Sequence, residues 1–110
     1  MESERRRLGR HAFELLPQGL LSLWVDGRPV TILDVQDVSP FGIGLLVDGH
    51  VSNGCLVALQ YVRDTTDIEV SGSVVWSRPA DAAEENTCLG IYLEMENMAP
   101  NVEFFNAMTA

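Results

Sequence analysis

Along residues 67–76 the apolar side chains Ile68, Val70, Val74 and Trp76 alternate with Asp67, Glu69, Ser71 and Ser73, and only Gly72 breaks the phase. An alternation of period two sets one face of an extended strand on a core and the other in water, which no helix can do. The rest of the chain from Gly19 onward reads the same way. Leu20–Val25 and residues 29–38 are apolar, β-branched runs on either side of Asp26-Gly27-Arg28, and an Asp-Gly pair between such runs signals an antiparallel hairpin. Residues 43–47, 54–62 and 88–95 complete six short strands, separated by turn clusters such as Asp48-Gly49-His50 and Ser52-Asn53-Gly54. Strands at this spacing predict an all-β fold, a six-stranded antiparallel β-barrel.

The acidic stretch 79–87 falls between two strands and reads as a solvated loop. Near the end, Pro100 suits the first turn of a helix, and Val102 with Phe105 and Phe104 with Met108 form apolar pairs at helical spacing. The chain therefore divides into an arginine-rich arm (1–11), a barrel (12–96) and a short terminal helix (97–110). Its 110 residues make one domain, able to bury roughly two thirds of its unfolded surface. No apolar stretch approaches the ~20 residues of a membrane span, and no apolar signal core follows the first arginines, so the expected location is the cytoplasm. In that compartment Cys55 and Cys88 are expected to be reduced, packed thiols, and Trp24 a packing residue.

A net charge of −9 speaks against a general binder of nucleic acid or anionic membrane, since both need a broad positive field. The charge is also unevenly placed. The first ten residues hold Arg5, Arg6, Arg7 and Arg10 and carry +2, the remaining hundred carry −11, and the chain has no lysine. Such a run at a terminus reads either as a solvated tail or as a cationic hook.

A second short pattern bears on that choice. Asp37-Val38-Ser39-Pro40-Phe41-Gly42 sits where one strand ends and the next begins. As a plain turn, Asp37 and Ser39 would accept local backbone hydrogen bonds and Gly42 would supply a positive φ. As a site, the same residues would face a ligand from a rigid edge, with Gly42 allowing close backbone approach.

The arginine run followed by Asp-x-Ser-x-x-Gly within a six-strand pattern resembles the PilZ domain family, whose signature joins Arg-x-x-x-Arg to Asp/Asn-x-Ser-x-x-Gly. Arg6-Arg7-Leu8-Gly9-Arg10 matches the first half, with Arg5 as a preceding extra arginine, and Asp37, Ser39 and Gly42 match the second. The similarity runs from residue 4 to about residue 95. What it implies is binding of cyclic diguanylate, with an arm that folds over a ligand held against the barrel. Guanidinium forks suit both the phosphates and the guanine O6/N7 edge, Asp37 suits the N1–H and N2–H donors, and Ser39 can donate or accept. The implied contacts are Arg5, Arg6, Arg10, Asp37, Ser39 and Gly42, with Arg7 a spare cation. Trp76 resembles a ligand-proximal position in some members, yet its phase with Val74 equally suits the core. Adjacent arginines can grip one ligand molecule or a stacked pair.

Catalysis has few candidates. His11 and His50 are the only imidazoles, no His/Cys cluster has ligand spacing, and the two cysteines lie in separate strands. The expectation is a non-enzymatic receptor, without cofactor or metal, that changes conformation on binding and regulates an unidentified protein partner. The family's association is with motility, biofilm or exopolysaccharide, and virulence. The alternative is a PilZ-like adaptor that binds no nucleotide; a hydrolase of cyclic dinucleotides would need the metal ligands this pattern lacks.

Overall fold

The computed structural model describes residues 13–14, 19–83 and 85–109. Its elements are β1 (Phe13–Glu14), β2 (Leu20–Val25), β3 (Arg28–Val30), β4 (Ile32–Ser39), β5 (Gly42–Asp48), β6 (Leu56–Arg63), β7 (Thr66–Pro79) and β8 (Asn86–Leu93). A 3-10 turn at Met95–Asn97 then leads into α1 (Met98–Thr109).

Asp26 (φ 50°) and Gly27 (φ 84°) both adopt left-handed backbone, the conformation that matches a two-residue turn to the twist of its strands. β2 and β3 accordingly pair antiparallel, Leu23 with Val30 and Val25 with Arg28. The turn is also tied to β6: Asp26 N–H donates to the Leu56 carbonyl at 2.8 Å, and Leu56 N–H donates to Asp26 Oδ1 at 3.0 Å.

The single strand expected over 29–38 is in fact two. After three pairs with β2 the backbone changes partner at Thr31, whose carbonyl accepts from Asp48 N–H at 2.9 Å, and Ile32 then pairs with Val47 of β5. That split and the two-residue β1 raise the strand count above six. The sheet runs β1-β2-β6-β7-β8-β5-β4, with β3 added to β2, and every pairing is antiparallel. β1 also touches β4, so the sheet curls toward closure. Among the described residues no hydrogen-bonded ladder joins these two edges, and the result is a half-barrel. Two irregularities, between Ile32 and Asp34 and between Val35 and Asp37, bend the edge strand β4.

Alternation fills the concave side: Ile43, Leu45 and Val47 of β5, Val57, Leu59 and Tyr61 of β6, and Leu89, Ile91 and Leu93 of β8 are all buried. Trp24, half-buried, stands between its strand partners Pro29 and Ala58. The terminal helix packs on β7 and reaches β4 and β6. Phe104 is fully buried and Met108 packs beside the core, whereas Val102 faces solvent and Phe105 is half-buried, so one of the two expected apolar pairs is used. The helix is pinned by Asn101, buried, whose Nδ2 donates to the Glu94 carbonyl at 2.7 Å. Asn101→Ala leaves that carbonyl without its partner and is expected to lower stability by about 1–3 kcal/mol. Urea unfolding reads this directly, and an unchanged midpoint would mean the helix is held by its apolar contacts, Phe104 and Met108 among them. Among the described residues no helix is long and apolar enough to cross a membrane.

Candidate functional site

The β4–β5 hairpin is closed by one hydroxyl. Ser39 Oγ accepts from the backbone N–H groups of Phe41 (3.1 Å) and Gly42 (3.2 Å) and donates to the Gly42 carbonyl at 3.5 Å. This side-chain turn lets Pro40 and Phe41 form a two-residue loop between the paired Ser39 and Gly42. Leu93 N–H donates to the Phe41 carbonyl at 2.9 Å and ties the loop to the end of β8. Gly42 does not take the positive φ that a plain turn would ask of it. A Cβ there would strike the Ile91 carbonyl oxygen, so the neighbouring strand, and not the turn, requires the glycine.

Asp37 departs from the plain-turn expectation too. It accepts no local backbone hydrogen bond among the described residues and stands opposite Gly44, which pairs with Gly90, which pairs with Trp76. Asp37, Gly44, Gly90 and Trp76 thus form one row across β4, β5, β8 and β7, about 14 Å long at the usual strand spacing. A Cβ on Gly44 would lie 3.0 Å from Asp37 Oδ1 and 3.2 Å from Oδ2. One on Gly90 would run into the Trp76 indole. The carboxylate and the indole therefore lean inward over a floor of two glycines.

Trp76 reaches this convex face through a register shift. Between Val74 and Trp76 the β7–β8 ladder skips a residue, so Val74 is buried while Val75 and Trp76 are 54% and 40% exposed. The strict alternation that put Trp76 in phase with Val74 ends at this bulge, and Trp76 is no core residue.

With Ser39, Phe41 and Tyr92 at its margin, the row encloses an open cavity of about 250 Å³. The Arg78 guanidinium sits 5.1 Å from the Trp76 ring centroid, a cation–π distance that brings a positive charge beside the indole. Sequence reasoning had not selected Arg78, Gly44, Gly90 or Tyr92. Two signals were available: Arg78 follows Trp76 at the same-face spacing of two, and Gly90 is an isolated glycine inside an apolar strand, a mark of close approach. Of the expected contacts, the structure brings Asp37, Ser39, Gly42 and Trp76 to one cavity; Arg5, Arg6 and Arg10, with Arg7 and His11, lie outside the described residues.

Elsewhere, His50 Nε2 shares a 3.3 Å hydrogen bond with Ser52 Oγ on the surface. Cys55 and Cys88 are free thiols. Burial, and then the Asp26 carboxylate, push the Cys55 thiol above its ordinary value, so it stays protonated at neutral pH. Among the described residues no three of His, Cys, Asp and Glu converge as metal ligands would.

No family model matches this chain, and neither the curated proteins nor the solved structures yield a match.

Proposed function

We propose that this protein is a PilZ-like receptor for cyclic diguanylate, acting in the cytoplasm on a partner protein. The observation that carries the reading is the convergence of Asp37, Ser39, Gly42 and Trp76 on one trough floored by Gly44 and Gly90. A side-chain-free floor flanked by a carboxylate and an aromatic face is what one guanine needs. The base can lie flat beside the indole while Asp37 accepts from its N1–H and N2–H.

The cavity, about 250 Å³, falls short of the ~300–1,000 Å³ of a pocket that holds a whole small molecule. The phosphates and the second base must then be held from above, which is the role the resemblance gives to Arg5, Arg6 and Arg10. A dianion approaching a chain of net charge −9 needs such local cations, and Arg78 adds one beside the Trp76 ring. Ordering of the arm around one ligand molecule or a stacked pair would create the surface that a partner reads.

Calorimetric titration with cyclic diguanylate, with GTP and cyclic AMP as controls, tests the reading. Saturable heat is expected from cyclic diguanylate alone, and Arg6→Ala and Asp37→Ala are each expected to weaken binding at least about tenfold, as loss of a charge-assisted contact does. No heat from the wild type would leave the adaptor reading standing in place of the receptor.

A further inference from the structure

On the same convex face, the row beside the trough reads Leu56, Ser73, Tyr92 and Gly42. Leu56 is 66% exposed and Tyr92 46%, and Met95 in the following turn is also 46% exposed. Leu56 and Tyr92 stand two strands apart, about 10 Å, with only Ser73 between them. Together with Met95 they frame a cleft of about 420 Å³ whose wall includes Glu94 and Glu96 and, among the described residues, no cationic side chain.

We infer that this cleft docks a segment of a partner protein that presents large apolar anchors flanked by arginine or lysine. The gap over Ser73 accepts one bulky apolar side chain between Leu56 and Tyr92, the arrangement of an anchor in its pocket. Glu94 and Glu96 at the margin then call for cations beside that anchor, and charge of opposite sign both steers and selects the partner. A second copy of this chain is the wrong occupant. A two-fold contact would set the same two glutamates against their own copies, on molecules that each carry −9. The inference does not rest on the nucleotide reading, because Leu56, Met95, Glu94 and Glu96 lie outside the Asp37–Trp76 trough. Tyr92 is the wall the two sites share.

The test uses the full chain, labelled with ¹⁵N, and two synthetic ten-residue peptides: leucine alternating with arginine, and leucine alternating with glutamate. The arginine peptide is expected to shift the amides of Leu56, Ser73, Tyr92 and Met95 saturably. Leu56→Ser, at a side chain exposed enough to leave the melting temperature in place, and the double change Glu94→Gln with Glu96→Gln are each expected to weaken it about tenfold. The proposal fails if both peptides bind alike, if the shifts map elsewhere or never saturate, or if light scattering shows a dimer that Leu56→Ser dissolves. It fails equally if deleting residues 1–10 moves these four amides with no peptide present, since the chain's own arm would then be the occupant.

Discussion

Replacing Gly72 by alanine is expected to cost about 3 kcal/mol and to lower the melting temperature by roughly 15 °C. Gly72 is buried in the middle of β7, paired with Val57 on one side and Leu93 on the other. A Cβ there would run into the Tyr92 carbonyl and lie 3.0 Å from Leu93 Cα. Both obstacles are backbone, so the methyl can be admitted only by prising β8 from β7, and β8 is the strand that joins β7 to β5. Two other glycines serve as controls. Gly49→Ala meets no atom within 4 Å but keeps a φ of +90°, which costs an alanine about 1–2 kcal/mol. For Gly44→Ala the nearest atoms all belong to the exposed Asp37 side chain, which can swing away. The order of destabilisation should be Gly72, then Gly49, then Gly44. Melting of Gly72→Ala within two or so degrees of wild type would contradict the β7–β8 spacing described above.

Gly90→Val is expected to do the reverse, leaving the fold and removing the ligand. Valine is at home in a strand, and the Trp76 ring that its Cβ would displace is 40% exposed, so the indole can rotate into water. The trough then has neither floor nor aromatic wall. Base–aromatic stacking contributes about 1–3 kcal/mol, so affinity for cyclic diguanylate should fall between about tenfold and a hundredfold, with a far smaller change in melting temperature than Gly72→Ala causes. Trp76→Ala should lose a similar amount. The double variant should lose little more than either single one, because both remove the same stack. Wild-type affinity in Gly90→Val would place the base somewhere other than between Asp37 and Trp76.

Much of the fold was legible because its signals are local. The Asp26-Gly27 turn follows from two residues that tolerate left-handed backbone, and β2 spans the same residues that its apolar run marks. What escaped depends on distant partners. The change of partner at Thr31 is decided by Asp48, seventeen residues on, and nothing in residues 29–38 announces it. Trp76 was ambiguous for the same reason: its alternation with Val74 is real in sequence, but the β7–β8 ladder cancels it with a bulge. The candidate site was half visible. Asp37, Ser39 and Gly42 could be chosen as a hexapeptide, whereas Gly44 and Gly90 acquire meaning only when the register lays them side by side. At Gly42 the positive φ of a plain turn is not what the structure uses; the Ile91 carbonyl of another strand leaves no room for a Cβ there.

The bent edge strand β4 bears on how the protein behaves when crowded. An open sheet edge is a template on which a foreign strand can be laid down, and a long flat one seeds aggregation. Its ladder to β5 is interrupted twice within eight residues, and Asp34 and Asp37 are both exposed along it. An incoming chain would find no uninterrupted stretch to copy and would meet the exposed Asp34. Among the described residues no ladder seals this rim, and substitutions that straighten β4 or neutralise Asp34 should appear first as turbidity in concentrated solution.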